Sequence, residues 1–330
     1  MSSSELTPAD LQSILTFTVK LARKAGELIL EGSNAIQSAS SESGVGEKKN
    51  SVDLVTEFDI KVEELVKKEL KSQYPSFEFI GEESYAAGSC PPLTDKPTFC
   101  VDPIDGTTNF IHGFPFVCIS LGLIYKRRPI LGVIYNPFLD HLYTGITGQG
   151  SYLSSRLNTE PVRLPLSKPA KPLPSLGQAL IAVEWGSDRS KTTINAKANS
   201  FSRLAGDPAQ GLSEGKMAHS LRSVGSAALN FAMVAQGGLD LYWEIGCWPW
   251  DVCAGIVIAE EAGGIVSGSH ATFATSSKEK GFGVVTEEIL TGRKYIVVRA
   301  IGDTQGEKGI DAQKRIIQEF YATVEDVDAV

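Results

Sequence analysis

Two hydrophobic rhythms divide this 330-residue chain, and their order constrains its fold more than any other feature. From Phe99 to Leu153 the apolar residues repeat as they do in strands. "FVCISLGLIY", "RPILGVIYN" and "HLYTGITG" are joined by the short turns "KRR" and "PFLD". That spacing predicts an antiparallel meander. The stretch Ser167–Ser175 holds three prolines and joins two halves. Beyond it strands and helices alternate: strand "QALIAVEW", a helix over Ser190–Leu204, helix "SAALNFAMVAQ", strand "LDLYWEIG", helix "WDVCAGIVIAEEAG", strand "KYIVVRAIG" and helix "GIDAQKRIIQEFY". A meander half (about 7–166) followed by an alternating half (about 175–330) predicts one layered α+β domain over 1–330, not a single doubly wound sheet.

Upstream, Thr7-Pro8-Ala9-Asp10 reads as a helix start, with a capping hydroxyl, a first-turn proline and a carboxylate three residues after the cap. Leu11, Ile14, Leu15, Leu21, Ala22, Ala25, Leu28 and Ile29 then keep a helical stripe. Residues Gly32–Asn50 are rich in Ser, Gly and Lys and are expected to form a mobile loop. "TEFDIKVEELVKKELKSQYP" predicts a second helix with Ile60, Leu65, Val66 and Leu70 inward, and Phe77–Ile80 a short strand ending in "GEES".

Acidic residues stand where these elements end. Asp59 lies in the first turn of the second helix, Glu82 and Glu83 follow a strand, Asp102 and Asp105 flank the turn after Val101, and Asp251 opens a helix. Each alone has a plain structural use. Asp59 completes a capping box with Thr56, Glu82-Glu83 is a solvated pair, Asp105-Gly106 is a turn dipeptide, and Asp251 is an ordinary first-turn acid. Together they point elsewhere, because carboxylates converging without basic neighbours need a counter-charge, which hard divalent cations supply. The chain has four histidines and none beside these acids, which disfavours zinc and favours Mg²⁺ or Mn²⁺. Asp102 is placed to bridge two cations, the Ile104 carbonyl to serve as a neutral ligand, and Asp105 to complete the second site. Gly106, Thr107 and Thr108 offer backbone N–H groups for phosphate. Two cations about 3.5–4 Å apart clamp the attacking and leaving oxygens of an in-line phosphoryl displacement. These residues suit a metal-dependent phosphoester hydrolase.

Composition narrows the partners. With 31 basic against 39 acidic residues the net charge is −8, so no basic field exists to hold nucleic acid. No apolar stretch nears the roughly 20 residues a membrane helix needs, and "MSSSELTPAD" lacks the marks of a signal peptide. Five scattered cysteines without CxxC read as reduced thiols. The expected setting is cytoplasmic, with no nucleic-acid or membrane partner.

At this point the sequence resembles the inositol monophosphatase family. "DPIDGTTNF" (102–110) and "WDVCAGIVIAEEAGG" (250–264) look like its two signatures, and "VDLVTEFD" (52–59) and "GEES" (81–84) match the stretches expected upstream. The agreement runs from about Leu11 to about Gly268. The length and variant motifs are similar to the branch of the family tied to fungal quinate utilisation. The resemblance implies a five-layered αβαβα sandwich of the inositol monophosphatase and fructose-1,6-bisphosphatase type. It also implies a homodimer, and hydrolysis that depends on two to three Mg²⁺ ions and is inhibited by lithium. On the same resemblance Glu82, Asp102 and the Ile104 carbonyl hold the first ion, and Asp102, Asp105 and Asp251 the second. A third ion leans on Glu82 near Lys48. Thr107, hydrogen-bonded to Asp59, orients the attacking water, Glu82 completes the catalytic group, and Glu83 supports it. The amides of Gly106 and Thr107 hold phosphate. Asp105, Ser187, Gly225, Ser226, Ala227, Glu244 and Asp251 face the alcohol, which the family makes a small phosphorylated polyol or cyclitol.

Two features depart from the family. Trp248 stands in "GCWPWD" where relatives often carry His or Arg; it is either a flat wall for the alcohol or core packing. The stretch "GSHATFATSSKEKGFGVVTEEILTGRK" is longer than many relatives have, and is read as an extra loop. A reading from another class stands beside the hydrolase: a metal-binding regulatory or interaction protein of quinate metabolism that retains the fold. Intact Asp59, Thr107 and Glu82 weigh against it.

Overall fold

The computed structural model describes residues 5–38, 45–48, 54–158, 160–278 and 282–329. Its first half runs α1 (Pro8–Ser38), β1 (Val45–Glu47), β2 (Leu54–Thr56), α2 (Glu57–Gln73), β3 (Glu78–Gly81), α3 (Glu82–Ala86), β4 (Thr98–Asp105), α4 (Thr107–His112), β5 (Cys118–Tyr125), β6 (Arg128–Asn136), β7 (His141–Ile146), β8 (Gly150–Ser154) and β9 (Val162–Arg163). The second runs β10 (Leu180–Val183), α5 (Lys191–Ala205), β11 (Ser220–Arg222), α6 (Ala227–Gln236), β12 (Leu241–Ile245), α7 (Pro249–Glu261), β13 (Ile265–Ser267), α8 (His270–Ser276), α9 (Glu287–Thr291), β14 (Lys294–Val298) and α10 (Gly309–Tyr321).

Strands β3 to β9 form one sheet in sequence order, parallel at β3–β4 and antiparallel from β4 onward. This is the expected meander, extended by one parallel edge strand. The second sheet has the order β11-β10-β12-β14-β13 and mixes parallel and antiparallel pairs. Three apolar clusters fill the gaps between layers. Residues of α1 and α2 pack on the outer face of the first sheet, α6 and α7 lie between the sheets, and α5 and α10 cover the far face of the second. The αβαβα sandwich follows. Helix α7 is apolar on every side and buried from Val252 to Ala259, as a helix in the central layer must be.

Two local expectations need correction. The segment read as a loop over Gly32–Asn50 is helical to Ser38, and Val45–Glu47 pairs antiparallel with Leu54–Thr56; the remainder of that segment lies outside the described residues. Gly32 does not break α1, because a Cβ there would come within 2.6 Å of the Phe58 ring. Its bare backbone is what lets α2 approach α1. In α2 the inward residues are Asp59, Val62, Glu63, Val66 and Leu70, whereas Ile60 is 47% exposed and Leu65 half-buried. The stripe is out of phase with the expected one because two of its members are carboxylates. The long "GSHATFATSSKEKGFGVVTEEILTGRK" segment carries two short helices, α8 and α9, around residues 279–281, which lie outside the described set. All five cysteines are free thiols, as expected, and Cys100, Cys118 and Cys253 are buried.

Candidate active site

The site lies where β4 of the first sheet meets the start of α7. The β4–β5 pairing shifts register between Asp102, opposite Ser120, and Asp105, opposite Cys118. Gly106 follows with φ +95, and a Cβ there would lie 2.9 Å from the Phe116 carbonyl oxygen; only glycine fits that turn. Ligand atoms of Asp102, Asp105 and Asp251 all lie within 4.8 Å of one another. Asp102 and Asp105 are buried and Asp251 is half-buried. Among the described residues no Lys or Arg pairs with these three acids. Burial, then the charges of Glu82 and the neighbouring aspartates, push Asp102 and Asp251 well above the carboxylate range. Such a cluster fits a hard divalent cation, which offsets the repulsion the acids impose on one another.

Asp105 is engaged in a second way. Its oxygens accept from Ser226 Oγ at 2.6 Å, Ala228 N at 2.7 Å and Ala227 N at 3.2 Å. Burial still raises it to about 6 against these donors. Ser226 and Ala227, expected to face the alcohol, therefore act first on Asp105, and Ser226 also caps α6. Asp59 combines both of its readings. Its Oδ2 accepts from Thr56 N and Oγ1 at 2.8 and 2.6 Å, completing the capping box, while its Oδ1 lies 3.2 Å from Thr107 Oγ1. Burial lifts Asp59 to about 6 although the Thr56 hydrogen bonds favour its anion. Thr107 Oγ1 is also 3.2 Å from the Ile104 carbonyl oxygen.

Glu82 and Glu83 are not a solvated pair. Lys48 Nζ lies 2.8 Å from Glu82 Oε1 and 2.6 Å from Glu83 Oε1, all three largely shielded. Burial opposes the Lys48 ammonium, but the two carboxylates outweigh it and raise the group above its ordinary range. Burial and Glu82 lift Glu83 to about 7. Glu82 lines the cleft beside Asp251 but stands outside the tight triad.

The cleft has two arms. One, about 500 Å³, is lined by Lys48, Glu82, Tyr85, Ser187, Glu244 and Trp248. The other, about 350 Å³, is lined by Asp102, Ile104, Asp105, Gly106, Thr107, Thr108, Ser187, Gly225, Ser226, Ala227 and Glu244. Glu82, Gly186, Ser187, Glu244, Cys247 and Asp251 are common to both. Glu244 is 4% exposed, not a solvated strand end. It accepts from Ile245 N at 2.8 Å and from the Tyr242 hydroxyl at 3.1 Å. Burial lifts it to about 7, opposed by Lys197. Trp248 is packed and also borders the cleft. It stacks on Trp250 at 5.3 Å, packs on Tyr85 at 5.2 Å and carries the Arg293 guanidinium 3.8 Å from its ring centroid, while lining the larger arm.

Three supporting residues are absent from the sequence expectation. Glu184 accepts from Ser223 Oγ, Val224 N, Gly225 N and Asn230 Nδ2 at 2.7–3.0 Å, and so holds the Gly225 turn. Asn109 Nδ2 donates to the Phe116 and Val224 carbonyl oxygens at 2.8 and 2.7 Å and holds the same turn from the other side. Glu63 accepts from Glu83 N at 2.7 Å and Ser84 N at 2.8 Å, fixing the start of α3. Glu184 carries a usable signal, since it too is an acid at a strand end, but the apolar run of "QALIAVEW" absorbs it into the strand.

Residues 10–316 match the model of the inositol monophosphatase family. A Neurospora crassa protein named quinic acid degradation cluster protein x is 37% identical, over 99% of this chain and 98% of its own. Inositol monophosphatase 2 of Saccharomyces cerevisiae is 46% identical over 227 residues, covering 68% of this chain and 72% of the relative. In the crystal structure of the extragenic suppressor protein suhB from Bartonella henselae, the similarity extends over 96% of this chain and 100% of that one, with a TM-score of 0.69 and 25% identity.

Proposed function

The chain belongs to the inositol monophosphatase family, and on that premise we propose that it is a Mg²⁺-dependent phosphomonoesterase acting on a polyol or cyclitol monophosphate. The observation that carries this reading is the convergence of Asp102, Asp105 and Asp251 beside the Thr107–Asp59 hydrogen bond. Asp102, Asp105, Asp251, Glu82 and the Ile104 carbonyl would hold the ions. Bound there, Mg²⁺ supplies Lewis acidity toward the phosphoryl and leaving oxygens.

The protein's own groups do the rest. Thr107 Oγ1, between Asp59 and the Ile104 carbonyl, positions a water and passes its proton toward Asp59. The amides of Gly106 and Thr107 line the smaller arm and donate to phosphate oxygens. Glu244 accepts hydrogen bonds from adjacent hydroxyls of the alcohol, with Ser187 and the Gly225 turn on its flanks. Ser226 and Ala227 contribute by orienting Asp105.

The test is release of phosphate from inositol 1-phosphate and β-glycerophosphate with Mg²⁺, with and without lithium. Asp102→Asn is expected to abolish turnover. Mg²⁺ binding without turnover across a broad panel of phosphate esters would overturn the reading in favour of a metal-binding regulatory protein.

A further inference from the structure

Lys197 is a buried lysine, 2% exposed, on the inward side of α5. A buried ammonium is costly unless its donors are satisfied. Its Nζ donates to the Glu184 and Trp185 carbonyl oxygens, both at 3.0 Å. The same atom lies 3.9 Å from Glu244 Oε1, with both side chains almost wholly enclosed. Gly186 lies over the pair, for a Cβ built there would be 3.2 Å from Lys197 Nζ and 3.8 Å from Glu244 Oε1. Lys197 is not among the residues lining either arm of the cleft, whereas Glu184, Trp185, Gly186 and Glu244 line the smaller one.

We propose that Lys197 is a positioning residue for the alcohol half of the substrate: from behind the cleft wall it supplies the counter-charge of Glu244 and pins the Glu184–Gly186 turn against it. The inference rests on the phosphatase reading for its substrate and on the geometry for the Lys197–Glu244 pair. Its chemistry is specific. A carboxylate without a proton accepts from two neighbouring hydroxyls at once, while a protonated one gives up an acceptor site. The groups around Glu244 explain why a counter-charge is needed. Glu184, just past β10, disfavours its charge, and Cys247, Asp105 and Asp251, which line the same arm of the cleft, bring it no positive charge. Tyr242 and the Ile245 amide donate to it, and among the described residues Lys197 is its one ion-pair partner. Burial raises Glu244 to about 7, and Lys197 acts against that rise. Without the ammonium the carboxyl is expected to be protonated at neutral pH, and a polyol loses its acceptor.

The experiment uses the full chain with Mg²⁺ and two probes. Inositol 1-phosphate presents adjacent hydroxyls, and 4-nitrophenyl phosphate presents none. Lys197→Gln keeps a donor for the two carbonyls and removes the charge; Lys197→Arg keeps both. Lys197→Gln is expected to raise KM for inositol 1-phosphate about tenfold at pH 7, the scale of a hydrogen bond to a charged group, with kcat much less affected. The KM penalty should shrink toward pH 9, as Glu244 ionises again, and be smaller for 4-nitrophenyl phosphate. Lys197→Arg should restore KM toward the native value, and Lys197→Gln combined with Glu244→Gln should match Glu244→Gln alone. Equal losses on both probes, or a penalty that does not change with pH, would overturn the proposal. Carbon-13 NMR of the Glu244 carboxyl follows its ionisation without any need for turnover. Its midpoint should rise in Lys197→Gln, and an unmoved midpoint would also overturn the proposal. If the native protein hydrolyses neither ester, the phosphatase reading fails while the carboxyl titration still decides the role of Lys197.

Discussion

A single carboxylate can carry two duties when its oxygens face different partners, and Asp59 does so. Oδ2 closes the capping box with Thr56 and Oδ1 reaches Thr107. The two duties separate by mutation. Thr56→Ala removes the cap hydroxyl and is expected to cost about 1 kcal/mol of stability, read as a lowered Tm, with any loss of kcat confined to low pH, because one donor that favours the Asp59 anion is gone. Thr107→Val leaves the cap intact and removes the hydroxyl proposed to relay the proton. It is expected to lower kcat by on the order of 10²–10⁴, with Mg²⁺ affinity by calorimetry unchanged. A Thr107→Val enzyme with native kcat would remove Thr107 from the chemistry. Asp102 of "DPIDGTTNF" is legible in the sequence because part of its setting is local: it accepts from Ile104 N, and Thr107 meets the carbonyl of the same Ile104. Glu184 and Lys197 are not. Glu184 holds residues about 40 positions away, and Lys197 faces Glu244 of strand β12 from helix α5. No local pattern encodes such pairs.

At the scale of elements, the sequence yields strand and helix positions where apolar period and end signals agree, as in α10, whose bounds match the expected segment at both ends. It misleads where a buried position is polar. The inward stripe of α2 contains Asp59 and Glu63, so a count of apolar residues alone sets the helix at the wrong angle and turns the exposed Ile60 inward. Glu260, in the last turn of α7, shows the energetic side of such burial. Enclosure lifts it to about 7, opposed by its hydrogen bond from Val285 N and by the charge of Arg128. Because the folded-state value exceeds the ordinary 4.5, the native state holds this proton more tightly than the unfolded chain does. The resulting stabilisation is complete below pH 4.5 and is lost as pH rises through 7. Glu260→Gln should therefore flatten the pH dependence of stability over that window. At pH 8 it should leave the protein more stable than native by on the order of 1 kcal/mol. Denaturant titrations at pH 5 and pH 8 check this; a native-like slope in the variant would remove Glu260 as its source.

Across the whole molecule, the acids that converge come from different layers. Asp102 and Asp105 leave the first sheet, Asp251 opens the central helix α7, and Glu244 ends a strand of the second sheet. Without a cation the three aspartates repel one another across the junction of these layers. Bound Mg²⁺ would reverse the sign and draw the layers together. Ligand binding to the native state alone stabilises by RT ln(1 + [L]/Kd), about 2.7 kcal/mol when the ion is at a hundred times its Kd. Native protein should therefore show a Tm that rises with Mg²⁺ and falls with chelator. Asp102→Asn tests the argument in both directions. It removes one charge from the cluster, so the chelated variant should melt above the chelated native protein, and it removes the shared ligand, so its Tm should no longer respond to Mg²⁺. A variant less stable than native in chelator would mean that Asp102 is held by favourable contacts instead of repelled. A variant that kept the full Mg²⁺ response would place the ion elsewhere. An ion bound there would relieve the repulsion of so acidic a junction at the place where the carboxylates of Asp102, Asp105 and Asp251 meet.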